Sequence, residues 1–153
     1  MDSSADIIDL AVAIELECAA LYEGFARSFA AREEVAYFWR IYAEAERYHA
    51  ASIRIHQAAF SGEKLDGLPV GVAEASALLE ELRTLRSTFE KSAPTIQEAL
   101  SAARKVEESS AELHGRTQFF ALHPHFTELF QQMAEEDRAH RDVLTTARAR
   151  FGG

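Results

Sequence analysis

The chain has 153 residues and a formal net charge of −9, and 48% of its residues are hydrophobic while only 7 are Gly and 3 are Pro. A single domain of this size can bury a substantial core, and the scarcity of Gly and Pro favours long helices over a β-rich fold. The negative charge argues against a nucleic-acid partner, because phosphate binding needs basic patches.

We expect one domain over residues 1–153, made of two halves and a crossover. In the first half, about residues 5–60, two long helices are predicted, over about residues 5–30 and 33–60. The second of these ends at Ser61 and Gly62, which are typical of a loop. Because the connection between the two helices is short, they are predicted to form an antiparallel pair.

Residues 61–93 are the predicted crossover between the halves. Residues 62–71 contain three Gly and one Pro, which predicts a loop. Apolar residues at helical spacing from Val72 to Phe89 then predict an extra helix of about twenty residues, or roughly 30 Å at 1.5 Å per residue. A helix of this length can cross a bundle, as a connection between two parallel helices must.

The second half, about residues 94–150, repeats the helix pair. Its first helix is predicted to begin at Pro94, a favoured first-turn residue, and to reach about residue 122. The last helix is predicted to begin near Pro124 and to end at Gly152 and Gly153. The short connection again predicts an antiparallel pair.

Two stretches, Ala43–His49 and Ala134–His140, are almost copies of each other. Each places a carboxylate three residues before a histidine, which on a helix puts both groups on one face. The similarity extends upstream, where residues 11–22 and 103–114 align and match one glutamate to another. Duplication of a two-helix unit is the best single account of this pattern. The six residues that it marks are Glu15, Glu46, His49, Glu107, Asp137 and His140.

These polar residues interrupt helical stripes that are otherwise apolar and aromatic, so four carboxylates and two imidazoles are predicted to point into one core. Burying unpaired carboxylates together is costly, because each loses its hydration and they repel one another. Two divalent cations would balance the four negative charges, and each imidazole would add a nitrogen ligand. Carboxylate and histidine ligands suit iron or manganese, while the single Cys18 and the absence of any C-x-x-C pair argue against Cu(I) or structural zinc.

A Glu on each of two helices, with Glu-x-x-His on each of the other two, is the signature of ferritin-like di-iron carboxylate bundles. The chain resembles a rubrerythrin-type protein of this class over nearly its whole length. In that family a Tyr follows the first glutamate by seven residues, which Glu15 and Tyr22 match and the neighbouring Glu17 does not. The resemblance implies an all-α, ferritin-like four-helix bundle with a crossover helix. It also implies two bound iron ions, with manganese as an alternative, and Glu46 and Asp137 as bridging or nearly bridging ligands.

The chain also departs from the rubrerythrin pattern. Asp137 replaces the usual Glu and is one methylene shorter, which leaves Glu136 as an alternative ligand. Rubrerythrins carry a further glutamate where this chain has Ser110, and they have a rubredoxin domain that has no counterpart in residues 1–153. His114 stands where the first half predicts a tyrosine. The lack of that glutamate and of a rubredoxin counterpart weakens a peroxidase assignment.

The expected function is that of a di-iron oxidoreductase or ferroxidase, which reacts with O₂ or H₂O₂ and takes electrons from an external donor. A substrate hydroxylase of the di-iron type is one alternative, because the fold alone does not choose among these reactions. A non-catalytic iron-binding or iron-storage protein is another. The third alternative is a metal-free helical interaction module.

The remaining features concern the surroundings of the protein. The first residues lack the pattern of a secretory signal and no apolar run reaches the length of a membrane span, so we expect a cytoplasmic protein without a membrane partner. A second apolar stripe on the first helix contains Leu10, Ile14 and Leu21. It predicts either a homodimer interface or contact with the crossover helix.

Overall fold

The computed structural model describes residues 3–59, 71–120 and 124–151. These residues form five α-helices and no β-strand, which confirms the all-α prediction. The helices are α1 (Ser3–Ser28), α2 (Glu33–Ala59), α3 (Val72–Lys91), α4 (Ile96–Phe120) and α5 (Pro124–Phe151). None of the helices in the described ranges is both long and apolar enough to span a membrane.

The start of α4 differs from the prediction, because the helix begins at Ile96 and not at Pro94. The backbone N–H of Glu98 donates to the Thr95 hydroxyl at 3.2 Å, and the Glu98 carboxylate accepts from the Thr95 backbone N–H at 2.7 Å. This reciprocal pair is a capping box, and it makes Thr95 the residue that precedes the helix. The predicted 62–71 loop, apart from Gly71, and the predicted ends at residues 60, 122 and 152 lie outside the described residues.

Helices α1 and α2 pack against each other as an antiparallel pair along most of their length. Asp9 near the start of α1 pairs with Arg54 near the end of α2 at 2.6 Å. Further along α1, Glu23 pairs with Arg47, which precedes Arg54 on α2, so the two helices run in opposite directions. Helices α4 and α5 form the second extensive pair. The paired helices predicted for each half are therefore present.

Helix α3 runs parallel to α1. Gly71, just before α3, lies against Ile7 near the start of α1, and Arg86 pairs with Glu17 further along both helices. The apolar residues of α3 belong to the same buried cluster as Ile14 and Leu21. The crossover helix therefore contacts the second apolar stripe of α1, and the homodimer stays a prediction.

The interior contains two hydrophobic clusters separated by a buried polar layer. Along α1, Ile8 and Val12 belong to one cluster, Glu15 follows, and Cys18 and Tyr22 belong to the other. The same order of apolar, polar and apolar residues recurs along α2, where Glu46 and His49 interrupt the sequence of buried apolar positions. The buried polar or charged residues of the described chain are Glu15, Glu46, His49, Glu107, Ser110, His114 and Asp137.

Candidate metal centre

The structure brings the six predicted ligands together in the polar layer. Helices α1, α2, α4 and α5 each supply at least one of them, and the two carboxylate-x-x-His pairs lie on α2 and α5. Five of the six side chains are buried, and His140 has 25% of its side chain exposed. The three-residue spacing keeps each carboxylate on the same face as its histidine, which is why both members of each pair reach the same layer.

Three carboxylates surround the Nδ1 atom of His49. Glu15 Oε2 lies at 3.2 Å, Glu46 Oε2 at 3.4 Å and Asp137 Oδ1 at 3.9 Å from this nitrogen. One ligand atom from each of Glu15, Glu46 and His49 lies within 4.8 Å of the other two. We call these three residues the Glu15 cluster, and their spacing is suited to a single cation.

A second cluster surrounds the Nδ1 atom of His140. Glu107 Oε2 lies 3.6 Å and Glu46 Oε1 lies 3.8 Å from that nitrogen. Glu46, Glu107 and His140 also have ligand atoms within 4.8 Å of one another, and we call them the Glu107 cluster. Glu46 belongs to both clusters and offers a different oxygen to each histidine, as a bridging carboxylate does.

Asp137 differs from Glu46, its equivalent in the repeat. Its Oδ2 atom lies 2.7 Å from Nδ1 of His114, which leaves only Oδ1 near His49. Asp137 therefore offers one oxygen to the clusters, in contrast to the bridging role that the resemblance implies. The alternative ligand Glu136 lies on the other side of the His49 ring, where its Oε2 atom is 2.6 Å from Nε2.

The contact with Glu136 determines which nitrogen of His49 faces the clusters. An Nε2–H that donates to Glu136 leaves Nδ1 for a cation, and carboxylates commonly orient metal-binding histidines in this way. Glu136 is 37% exposed, so this contact lies near the surface between α2 and α5. Sequence spacing suggested Glu136 only as a ligand and did not reveal this orienting contact.

Tyr22 and His114 hold the outer oxygens of two ligands from opposite halves of the chain. The Tyr22 hydroxyl donates to Glu107 Oε1 at 2.7 Å, and Nε2 of His114 lies 2.9 Å from Glu15 Oε1. Each of these residues follows its own glutamate by seven positions and contacts the glutamate of the other half. Sequence reasoning noted His114 only as an asymmetry, although the equal spacing was the available signal.

Burial and mutual repulsion affect the carboxylates unequally. Burial and the charge of Glu107 raise the pKa of Glu46 well above its ordinary value. Burial and the charge of Asp137 likewise raise the pKa of Glu107. Although burial opposes it, the positive charge of His114 and the contact with His49 lower the pKa of Glu15.

The histidines respond in the opposite direction. Although burial opposes protonation, hydrogen bonds and charges from Glu15 and Glu46 raise the pKa of His49 to about 12. The charges of Asp137 and Glu15 raise the pKa of His114 to about 10 against its burial. Glu107 raises the pKa of His140 despite partial burial. Without a cation, protonated imidazoles therefore supply the positive charge of this layer.

The hydrogen bonding of the layer is incomplete, which provides a test of whether the site suits a metal. An unpartnered buried polar atom typically costs about 1–3 kcal/mol. Oxygen and imidazole nitrogen donors without thiolates suit iron or manganese, so the donor set fits the predicted metals. Four buried atoms of this layer lack a hydrogen-bond partner: Glu46 Oε1, Asp137 Oδ1, His140 Nδ1 and Ser110 Oγ. Glu15 Oε1 and His114 Nε2 lie 2.9 Å apart as an ion pair, without hydrogen-bond geometry.

Other candidate residues lie away from the centre. Glu17 pairs with Arg86 of α3, so Glu15 is the glutamate of this turn that reaches the polar layer. Nδ1 of His56 donates to the backbone oxygen of Ser52 at 2.8 Å, and its ring packs near Phe126. His123 and His125 flank Pro124 and are expected from the sequence to face solvent; His125 is exposed, and residue 123 lies outside the described residues.

No protein-family model matches this chain, and no curated protein or solved structure matches it either. Its function is therefore inferred from the geometry and charge of its own buried side chains.

Proposed function

We propose that this protein is a rubrerythrin-like, ferritin-like di-iron carboxylate oxidoreductase. In this proposal, two helix-pair repeats form the bundle, α3 is the crossover, and the polar layer binds two iron ions, with manganese as an alternative. The observation that carries the proposal is the position of Glu46, whose two oxygens lie 3.4 and 3.8 Å from the Nδ1 atoms of His49 and His140. One carboxylate shared between two histidine-containing clusters suits a pair of neighbouring metals.

Charge and symmetry support the same proposal. Two divalent cations would neutralise the four carboxylates and release the proton that His49 carries without metal, because only an unprotonated imidazole nitrogen binds a cation. The reciprocal contacts of Tyr22 with Glu107 and of His114 with Glu15 agree with a duplicated helix pair. They relate the two halves in space as the repeat relates them in sequence.

Two ferrous ions at the centre would supply two electrons together, so that O₂ or H₂O₂ is reduced without release of a one-electron radical. The side chains would hold the centre and control access to it. Glu136 keeps Nδ1 of His49 directed inward, and the Tyr42 hydroxyl donates to the backbone oxygen of His140 at 2.9 Å, which ties α5 to α2. Partial exposure of Glu136 and His140 supports the α2–α5 side as the route for a small oxidant.

The first test is stoichiometry. Anaerobic titration with Fe²⁺ should saturate at two ions per chain, because two overlapping clusters share Glu46. Binding is measured by iron analysis after removal of weakly bound metal. A Glu135→Gln variant, which removes an exposed carboxylate next to Glu136, should still bind two ions. Saturation at one ion, or none, would contradict a two-metal centre.

The second test concerns the reaction. Mixing the Fe²⁺-loaded protein with O₂ or with H₂O₂ should oxidise both ions, and the near-ultraviolet absorption of ferric iron measures the rate. Because Ser110 stands where rubrerythrins have a further glutamate, H₂O₂ should be less favoured over O₂ than in those proteins. Without an external electron donor, the protein should perform one turnover and stop. A lack of reaction with both oxidants would favour a non-catalytic iron-binding protein.

A further inference from the structure

His114 is buried on α4 between carboxylates of two other helices. Its Nδ1 atom lies 2.7 Å from Asp137 Oδ2 on α5, and its Nε2 atom lies 2.9 Å from Glu15 Oε1 on α1. The ring of Phe130 packs beside it, with ring centroids 5.8 Å apart. Both nitrogens of one imidazole are thus used to connect two predicted ligands.

The oxygens that His114 contacts are the ones that face away from the cluster histidine. Glu15 contacts His114 with Oε1 and His49 with Oε2, while Asp137 contacts His114 with Oδ2 and His49 with Oδ1. Tyr22 has the same relation to Glu107, since it takes Oε1 and leaves Oε2 toward His140. Tyr22, however, has one hydroxyl and contacts one carboxylate, whereas the two nitrogens of the His114 ring contact two carboxylates.

We propose that His114 is a positioning residue of the metal centre, which orients Glu15 and Asp137 so that each presents one oxygen inward. This inference rests on the proposed metal binding. It adds that the two metal positions depend on different neighbouring residues. The Glu15 cluster depends on His114, and the Glu107 cluster depends on Tyr22. Because His114 occupies the outer oxygen of Asp137, Glu46 is left, among the described carboxylates, as the only one that faces both His49 and His140.

The inference is tested in two variants of the protein, each of which retains only one of the two clusters. A His140→Ala variant retains the Glu15 cluster, and a His49→Ala variant retains the Glu107 cluster. His114→Phe or Tyr22→Phe is then added to each, and affinity for Co²⁺, a redox-stable probe with visible absorption, is measured by titration. Loss of a residue that orients a ligand typically weakens metal binding roughly 10–100-fold. We expect His114→Phe to cause this loss only in the His140→Ala protein, and Tyr22→Phe to cause it only in the His49→Ala protein.

A general structural role for His114 would not produce losses confined to one background, because a loosened core would weaken metal binding at both clusters. Equal loss in the two backgrounds, or no loss in either, would overturn the inference. If His114→Phe prevents folding, His114→Gln decides in the same way, since its amide can replace only one of the two ring contacts. Failure of the unaltered protein to bind Co²⁺ would instead reject the proposed metal centre, so the two failures are distinguishable.

Discussion

Glu46→Gln is expected to weaken metal binding at both clusters at once, by more than the roughly 10–100-fold that follows loss of a residue that only orients a ligand. Among the described carboxylates, Glu46 alone has an oxygen near each cluster histidine, at 3.4 Å from His49 Nδ1 and 3.8 Å from His140 Nδ1. The substitution removes its charge and keeps its size. Titration with Fe²⁺ or Co²⁺ measures the effect.

The matched control is Glu44→Gln, two residues earlier on α2. Glu44 is exposed and pairs with Arg47, so it lies on another face of the same helix. We expect this variant to bind two ions with unchanged affinity. Loss of only one ion in Glu46→Gln would show that Glu46 serves a single position, and the bridging role would have to be abandoned.

The periodicity of the sequence and its internal repeat together indicated which helical faces carry the candidate ligands. A helix rotates by about 100° per residue, so Glu15 and Glu17 cannot share a face. Both have apolar neighbours at helical spacing, so it was the match of Glu15 and Tyr22 to the rubrerythrin pattern that favoured Glu15. The structure buries Glu15 and pairs Glu17 with Arg86 of α3. The same reasoning predicted the polar break in α2 at Glu46 and His49, because these positions repeat in the second half.

The contacts of His114 could not be predicted from its own helix. Its partners come from α1 and α5, and helical spacing shows which residues share a face but not which helix covers that face. The second apolar stripe of α1 was ambiguous for the same reason. Its periodicity fitted a second subunit or the crossover helix equally well, and only the tertiary structure shows α3 packed on α1. The alignment of His114 with Tyr22 also gave no sign that each contacts the glutamate of the other half, because a histidine and a tyrosine differ in chemistry.

Glu136 illustrates a different limit. Its position four residues before His140 made it a plausible alternative ligand, because residues at this spacing lie on one helical face. In the structure, Glu136 contacts Nε2 of His49 on α2 instead. The shorter side chain of Asp137 still reaches the layer, since its Oδ1 atom lies 3.9 Å from the other nitrogen of the same ring. Side-chain length and the packing of α5 against α2 decide between the two, and neither can be obtained from spacing alone.

The metal-free protein should be less stable at pH 8.5 than at pH 6. Protonated His49 and His114 have pKa values raised from 6.5 to about 12 and about 10, so their stabilising contribution is complete below pH 6.5 and is lost as the pH rises toward those values. The raised pKa values of Glu46 and Glu107 act in the same direction, because ionising them in the core costs stability above their ordinary value of 4.5. The lowered pKa of Glu15 has no effect in this range, since Glu15 is ionised in both states.

Bound metal should reverse this loss of stability with rising pH. A cation replaces the protons on the cluster histidines, and it binds more tightly as the pH rises because fewer protons compete for the same nitrogens. At a free concentration of 100 times the Kd, each bound ion adds about 2.7 kcal/mol, which raises Tm by roughly 5–11 °C for a domain of this size. Thermal unfolding with and without Mn²⁺ at pH 6 and 8.5 measures both effects, and the gap between the two forms should widen with pH. Glu46→Gln removes one buried carboxylate and one partner of His49, so the Tm of the metal-free variant should change less with pH than the Tm of the unaltered protein. A metal-free Tm that is constant or rises between pH 6 and 8.5 would mean that these carboxylates and imidazoles are not gathered in one buried layer.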